Sequence, residues 1–177
     1  MQFSKSLKPL KYPIVYTRQL ISEIKNEKVS SNDWSPVINL GFSYNIPEDY
    51  ILNLDLRMQI YRKISDINEI LELKKIINNL EDRFGKFPDL FSNLFKIIEI
   101  KILCKKLNIK KLNNSSNGFV IELRNIEISY IDNLIGLAKN NPEKIKLLPN
   151  SKLIYISKKY DTFGKVLELK NFLESLI

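Results

Sequence analysis

The sequence predicts an α+β domain in which a helical part of about three helices is followed by short antiparallel strands and two further helices. The periodicity predicts this directly. Between residues 55 and 107 apolar side chains recur at helical spacing, and from Ile109 onward the repeat shortens to that of strands broken by polar turns. Size agrees: 177 residues, 44% hydrophobic and 10% aromatic, suffice for one core with an appendage and exclude wholesale disorder.

The elements follow in order. Residues 1–34 read as an arm helix and linker. A basic, Pro-containing start leads into Tyr16–Lys28, where Tyr16, Leu20, Ile21 and Ile24 share one face, and Ser30-Ser31-Asn32-Asp33 is the linker before a domain spanning 35–177. Val37, Ile38, Leu40 and Phe42 predict a short strand bounded by Pro36 and Pro47, with Gly41 marking a bulge or a close approach. Ile46-Pro47-Glu48-Asp49-Tyr50 predicts a turn.

A first helix of the domain, capped by Asp55, carries Leu56, Ile60, Tyr61 and Ile64. Asp66-Ile67-Asn68-Glu69 has capping-box spacing for a second helix, whose stripe is Ile70, Leu73, Ile77, Leu80 and Phe84. Gly85 predicts a left-handed helix end and Pro88 bars continuation. A third helix, Asp89–Leu107, is apolar on more than one stripe and should be packed on two sides. Strands Ile109–Leu112 and Phe119–Leu123 flank a polar turn Asn113–Gly118. Ser129 is placed to cap a helix ending at Asn140-Asn141-Pro142, and Ile145–Leu148 pairs with Leu153–Ile156 across Pro149-Asn150-Ser151. Asp161 or Thr162 opens a last helix with Val166, Leu167, Leu169, Phe172, Leu173 and Leu176 inward.

Composition narrows the chemistry. Histidine is absent and Cys104 is the single cysteine, which removes imidazole acid/base catalysis, His/Cys metal sites and an internal disulfide together. The five glycines are too widely spaced for a phosphate-cradling loop, so no nucleotide site, cofactor or metal is expected and the chain is not read as an enzyme. No run is long and apolar enough to span a membrane and no secretory leader is visible, so the cytoplasm is the expected location.

The net charge of +8 raises the alternative of a small basic nucleic-acid-binding module. Against it, 23 of the 28 cations are lysine, as compositional drift gives, and acidic residues are interspersed among them. Lys101, Lys105, Lys106, Lys110 and Lys111 read as a solvated helix flank, since lysines without interleaved exposed aromatics carry no base recognition. Tyr44, Tyr50, Tyr61, Phe84 and Phe87 read as core and hinge packing. Cys104 reads as an inert, partly buried thiol, the alternative being a pKa lowered by its two lysine neighbours.

Among the carboxylate pairs, Glu48-Asp49 and Glu81-Asp82, adjacent helical residues point about 100° apart, so Glu81 and Asp82 are poorly placed to share a proton. Their position says more. Both fall in the last turn of the second helix, where the macrodipole disfavours negative charge by a few tenths of a kcal/mol each. Compensation by Arg83 and nearby lysines is the plain expectation; a cationic residue on another domain is the sharper one.

The run Asp55-Leu56-Arg57-Met58-Gln59-Ile60-Tyr61-Arg62-Lys63-Ile64, and then Leu80-Glu81-Asp82-Arg83-Phe84-Gly85-Lys86-Phe87-Pro88, closely resembles the C-terminal domain of the bacterial transcription-repair coupling factor (Mfd) family. Ile46–Ile51, Lys106–Lys111 and Leu134–Leu137 match further family segments in order and spacing, so the resemblance covers about residues 35–177. Residues 16–28 resemble, more loosely, the helix leaving the family's translocase motor.

The resemblance implies a parent protein that is an ATP-driven DNA translocase, displaces stalled RNA polymerase and recruits UvrA for excision repair. It implies that the C-terminal domain is non-catalytic, docks on the parent's N-terminal UvrB-like module, hides the UvrA-binding surface and restrains the motor. Motor, polymerase-binding and UvrA-binding segments are missing from this sequence, so an excised domain or a fragment left by gene decay is expected. Partner contact is implied for Asp82 and, where the family has Glu, for Asn79, with Glu81 as a substitute charge. Arg57, Tyr61, Arg83, Phe84, Gly85 and Pro88 are implied to be structural.

Overall fold

In the computed structural model, residues 34–124 and 128–177 are described, and Trp34–Ile177 form one compact unit. The arm helix expected at Tyr16–Lys28 lies outside the described residues. The fold is α+β: β1 (Val37–Asn39), α1 (Leu54–Ser65), α2 (Ile70–Phe84), α3 (Asp89–Lys106), β2 (Ile109–Ser115), β3 (Gly118–Leu123), α4 (Ile128–Asn140), β4 (Ile145–Leu148), β5 (Lys152–Ile156) and α5 (Thr162–Glu174).

The strands form one five-stranded sheet in the order β1-β2-β3-β5-β4. β1 runs parallel to β2, with Ile38 opposite Leu112, and the other neighbours are antiparallel. Registers such as Leu112 with Ile121, Phe119 with Tyr155 and Ile121 with Leu153 put apolar side chains on one buried face. Ile97, Ile100, Leu103 and Cys104 of α3 meet that core, together with Leu134 of α4 and Val166, Leu169 and Leu173 of α5.

Two-sided packing of the third helix is observed. Eleven of the 18 residues of α3 are buried. Phe91, Leu94, Phe95, Ile98 and Ile102 lie outside the sheet core, on the opposite face of the helix, and are buried all the same. α3 is therefore the wall shared by the sheet on one side and the α1–α2 hairpin on the other.

Several local readings need correction. Asn53, not Asp55, caps α1: its Oδ1 accepts the Leu56 N–H at 2.9 Å, and Asp55 sits in the first turn, where the dipole favours it. Asp66 does not cap α2. It closes α1, donating its N–H to the Arg62 carbonyl, and α2 starts at Glu69 with no side-chain cap. The predicted turn Asn113–Gly118 shrinks to two residues, because Asn113, Asn114 and Ser115 pair with β3 and extend β2. Ser129 falls inside α4, which begins at Ile128. Leu167, expected inward, is 60% exposed on the outer side of α5.

Asp161 caps α5 as predicted, accepting the Gly164 N–H at 2.6 Å. Gly41 is a close approach: φ is +83°, and a Cβ there would run into the Asn114 side chain of β2.

The uncapped start of α2 is held from outside. Lys101, only 4% exposed, donates to the Ser65 carbonyl at 2.7 Å, Lys105 donates to Asn68 Oδ1 at 2.8 Å, and Lys106 pairs with Glu69 at 2.9 Å. These three lysines are clamps on the α1–α2 connection, not a solvated flank. Lys110 bonds Glu122 across β2 and β3 at 3.0 Å.

Cys104 is fully buried in the sheet core while Lys105 and Lys106 bond Asn68 and Glu69, and burial pushes its thiol well above the ordinary range, opposite to the lowered value considered from sequence. The native chain is therefore expected to leave Cys104 unreacted with an aromatic disulfide reagent at mildly alkaline pH, and denaturant to release one thiol. Rapid titration of the native protein would contradict this placement.

Candidate functional site

The candidate site is built on the turn between β1 and α1. Arg57 and Tyr61 stand four residues apart on α1, so both face that turn. The Tyr61 hydroxyl accepts the Ile46 N–H at 2.7 Å. Arg57, 8% exposed, donates to the carbonyls of Ile51 at 2.7 Å and Leu52 at 3.2 Å, and to Glu48 at 3.2 Å. The two helical residues thus hold the 46–52 segment at both ends, supplying partners for backbone groups that the turn cannot pair itself. Burial raises the Tyr61 phenol pKa, and its bond with Ile46 and the Arg57 charge oppose the rise.

The same turn reaches the end of α2. The Tyr50 hydroxyl donates to the Gly85 carbonyl at 2.9 Å, and its ring meets Phe84, Phe87 and Phe91 at centroid distances of 6.4, 6.5 and 5.9 Å. Gly85 closes α2 with its N–H on the Glu81 carbonyl at 2.8 Å. Its conformation is φ +79°, ψ −162°, so it is not the left-handed helix end predicted but an extended positive-φ geometry open essentially to glycine alone. Pro88 does more than stop α2: its carbonyl accepts the N–H groups of Phe91 and Ser92 and starts α3.

Asn79, Glu81 and Asp82 do not form one patch. Asn79 and Arg83, a turn apart, line a groove between α1 and α2, and Asp82 lies on the outer flank beside Asn79. Glu81 lies on the other side of the buried stripe Leu73, Ile76 and Leu80, facing Tyr50, whose phenol is raised by burial and then by the Glu81 charge. All three are exposed. Among the described residues neither Glu81 nor Asp82 has an ion pair; Arg83 lies over the Phe84 ring at 5.2 Å instead. The two carboxylates therefore stand against the helix dipole without a described cation.

The groove measures about 180 Å³. Leu56, Ile60, Ile64, Ile76 and Leu80 form its floor, and Gln59, Lys63, Asn79 and Arg83 its rims. Sequence reasoning missed it because the angle at which two apolar stripes cross is not written in either stripe. The one signal was Lys63, which interrupts the apolar side of α1 between Ile60 and Ile64. Among the described residues no three carboxylate or cysteine side chains gather as a metal site, and no helix is long and apolar enough to cross a membrane.

Fold and site together define an α+β domain in which a helical hairpin, held by Arg57, Tyr61 and Tyr50, packs on one face of a helix whose other face covers a sheet. A crystal structure of the C-terminal domain of transcription-repair coupling factor superposes with TM-score 0.66 over 80% of this chain and 91% of that one, at 19% identity, a likeness of fold. Residues 40–134 match the TRCF domain. Transcription-repair-coupling factors of Rickettsia bellii (37% identity over 140 residues, 78% of this chain) and Borreliella burgdorferi (36% over 136 residues, 76%) are similar along most of the chain. The chain belongs to the TRCF domain family of transcription-repair coupling factors. The matched stretch is 12% of the length of either relative.

The grip on the turn makes unequal demands on its members. Arg57→Ala is expected to lower unfolding free energy by about 3 kcal/mol and Tyr61→Phe by about 1–2 kcal/mol, because each leaves backbone groups unpaired. Glu48→Gln should cost less than about 1 kcal/mol, since the Glu48 side chain is 88% exposed. Urea unfolding monitored by circular dichroism reads the order. At the helix end, Gly85→Ala and Gly85→Asn should both cost about 1–3 kcal/mol; an Asn variant as stable as wild type would mean the ordinary left-handed end.

Proposed function

We propose that this chain is the regulatory C-terminal domain of a transcription-repair coupling factor, a non-catalytic cytoplasmic module that docks on the parent protein's UvrB-like module. In that role it covers the UvrA-binding surface and restrains the translocase until engagement with stalled RNA polymerase releases it. Family membership supports the parent; the docking role is supported by one observation, the exposed Asp82 in the last turn of α2, which has no ion pair among the described residues.

A basic side chain of the partner placed there relieves the dipole penalty and forms a charge pair across the interface. Such pairs can contribute about 1.5 kcal/mol or more. Asn79 stands where the family carries Glu, so the contact is one charge short; Glu81, facing Tyr50, is too far around the helix to replace it. The alternative of a nucleic-acid module loses its footing in the lysine run, four of whose five members are engaged within the domain.

The test is a calorimetric titration of the chain against the separately expressed UvrB-like module of its parent. Saturable binding is expected, weakened about tenfold by Asp82→Lys and tightened several-fold by Asn79→Glu. Binding indifferent to both substitutions, or absent with both proteins folded, would remove the docking role from this helix end.

A further inference from the structure

The groove between α1 and α2 has a character of its own. α1 and α2 together carry four carboxylates, Asp55, Glu72, Glu81 and Asp82, and none of them lines it. Two cations do, Lys63 from α1 and Arg83 from α2, facing each other's helix across an apolar floor. Among the described residues neither has an ion pair, and both side chains are exposed. The remaining rim groups, Gln59 and Asn79, are neutral hydrogen-bonding amides.

The volume, about 180 Å³, fits one large side chain; a cavity of about 150 Å³ accepts a benzene. Apolar contact on the floor favours a leucine or phenylalanine, and the positive rims favour carboxylates on either side of it and repel a basic segment.

We propose that the α1–α2 groove is a docking slot for an acidic amphipathic segment of a protein partner, which seats one leucine- or phenylalanine-sized side chain on Ile60, Ile76 and Leu80 and sets flanking carboxylates against Lys63 and Arg83. The slot shares only its rim residue Asn79 with the contact assigned to Asp82, which demands a basic partner group on the outer flank. The helix end therefore offers opposite charge preferences on two sides, the cationic slot facing α1 and the anionic edge facing away from it.

The test uses the isotope-labelled 177-residue chain and the blocked peptide acetyl-Glu-Glu-Leu-Phe-Glu-Glu-amide, followed by backbone amide shifts. Two controls accompany it: acetyl-Lys-Lys-Leu-Phe-Lys-Lys-amide, and the acidic peptide with glycines in place of Leu-Phe. Saturable shifts confined to residues 56–64 and 76–83 are expected with the first peptide only. Lys63→Glu combined with Arg83→Glu should weaken its binding at least tenfold while preserving the remaining spectrum, and Asp82→Lys should leave it unchanged or slightly stronger. No saturation at millimolar peptide overturns the proposal. So do shifts spread over lysines elsewhere, equal binding of the glycine control, or binding insensitive to the double reversal.

Discussion

The buried guanidinium of Arg57 is the contact on which the helical part depends. A segment leaving β1 must cross to α1 through the fourteen residues 40–53, which lie in neither strand nor helix, and 46–52 bring backbone groups close to the core, where they are shielded from water. Arg57 meets two of the carbonyls and Tyr61 one N–H, which converts an irregular connection into a fixed part. Only then is Tyr50 presented to the end of α2, where its hydroxyl and ring join the Gly85 carbonyl to the cluster that Phe87 forms with Phe91 and Phe95 of α3. Residues far apart in sequence become one assembly because each satisfies a group that another leaves open. Glu48 contributes little to it: its carboxylate lies in solvent, and the backbone carbonyls already serve the guanidinium.

The opposite end of the hairpin is held by lysine. α2 begins without a side-chain cap, which leaves early N–H groups to solvent and weakens the start of the helix. Three lysines of α3 take the connection at Ser65, Asn68 and Glu69. Lys101 reaches the Ser65 carbonyl from within the packed layer, its ammonium placed at the α1 C-terminus where the dipole favours positive charge. α3 thus orients α1 and α2 from both ends, by aromatic packing beside the Tyr50 turn and by ammonium groups at the connection, while its other face closes the sheet core.

Much of this was legible in the sequence and some of it was not, for identifiable reasons. The broad apolar surface of α3, the cap at Asp161 and the short strands after Ile109 are local signals and reappear in place, whereas the buried stripe of α2 runs through Leu73, Ile76 and Leu80, with the expected Ile77 only half-buried beside it. The parallel pairing of β1 with β2 is not local: three residues of strand gain their partner only after an excursion through three helices. The extension of β2 through Asn113, Asn114 and Ser115 runs against strand propensity, and the ladder to β3 overrides it. Capping failed at Asp66 because Ser65 and Asp66 finish α1, so the same residues were unavailable to start α2. At the site, spacing placed Asn79, Asp82 and Glu81 on one helix end, yet only three-dimensional packing shows that Glu81 turns toward Tyr50 and Asn79 toward α1.

The division of that helix end follows from its anchoring. Gly85 bends the chain through a conformation that few residues share, Tyr50 holds its carbonyl, and Phe84 is drawn into the aromatic group, so the last turn of α2 cannot fray or rotate to relieve its charges. A frayed end would let Glu81 and Asp82 move away from the unpaired carbonyls of the helix and escape the dipole. Held rigid, they stay in an unfavourable field, and a rigid anion in an unfavourable field gains more from an incoming cation than a mobile one does, because less side-chain and backbone freedom remains to be lost on contact. The glycine and the tyrosine of this motif thereby fix where its two carboxylates stand relative to the helix dipole.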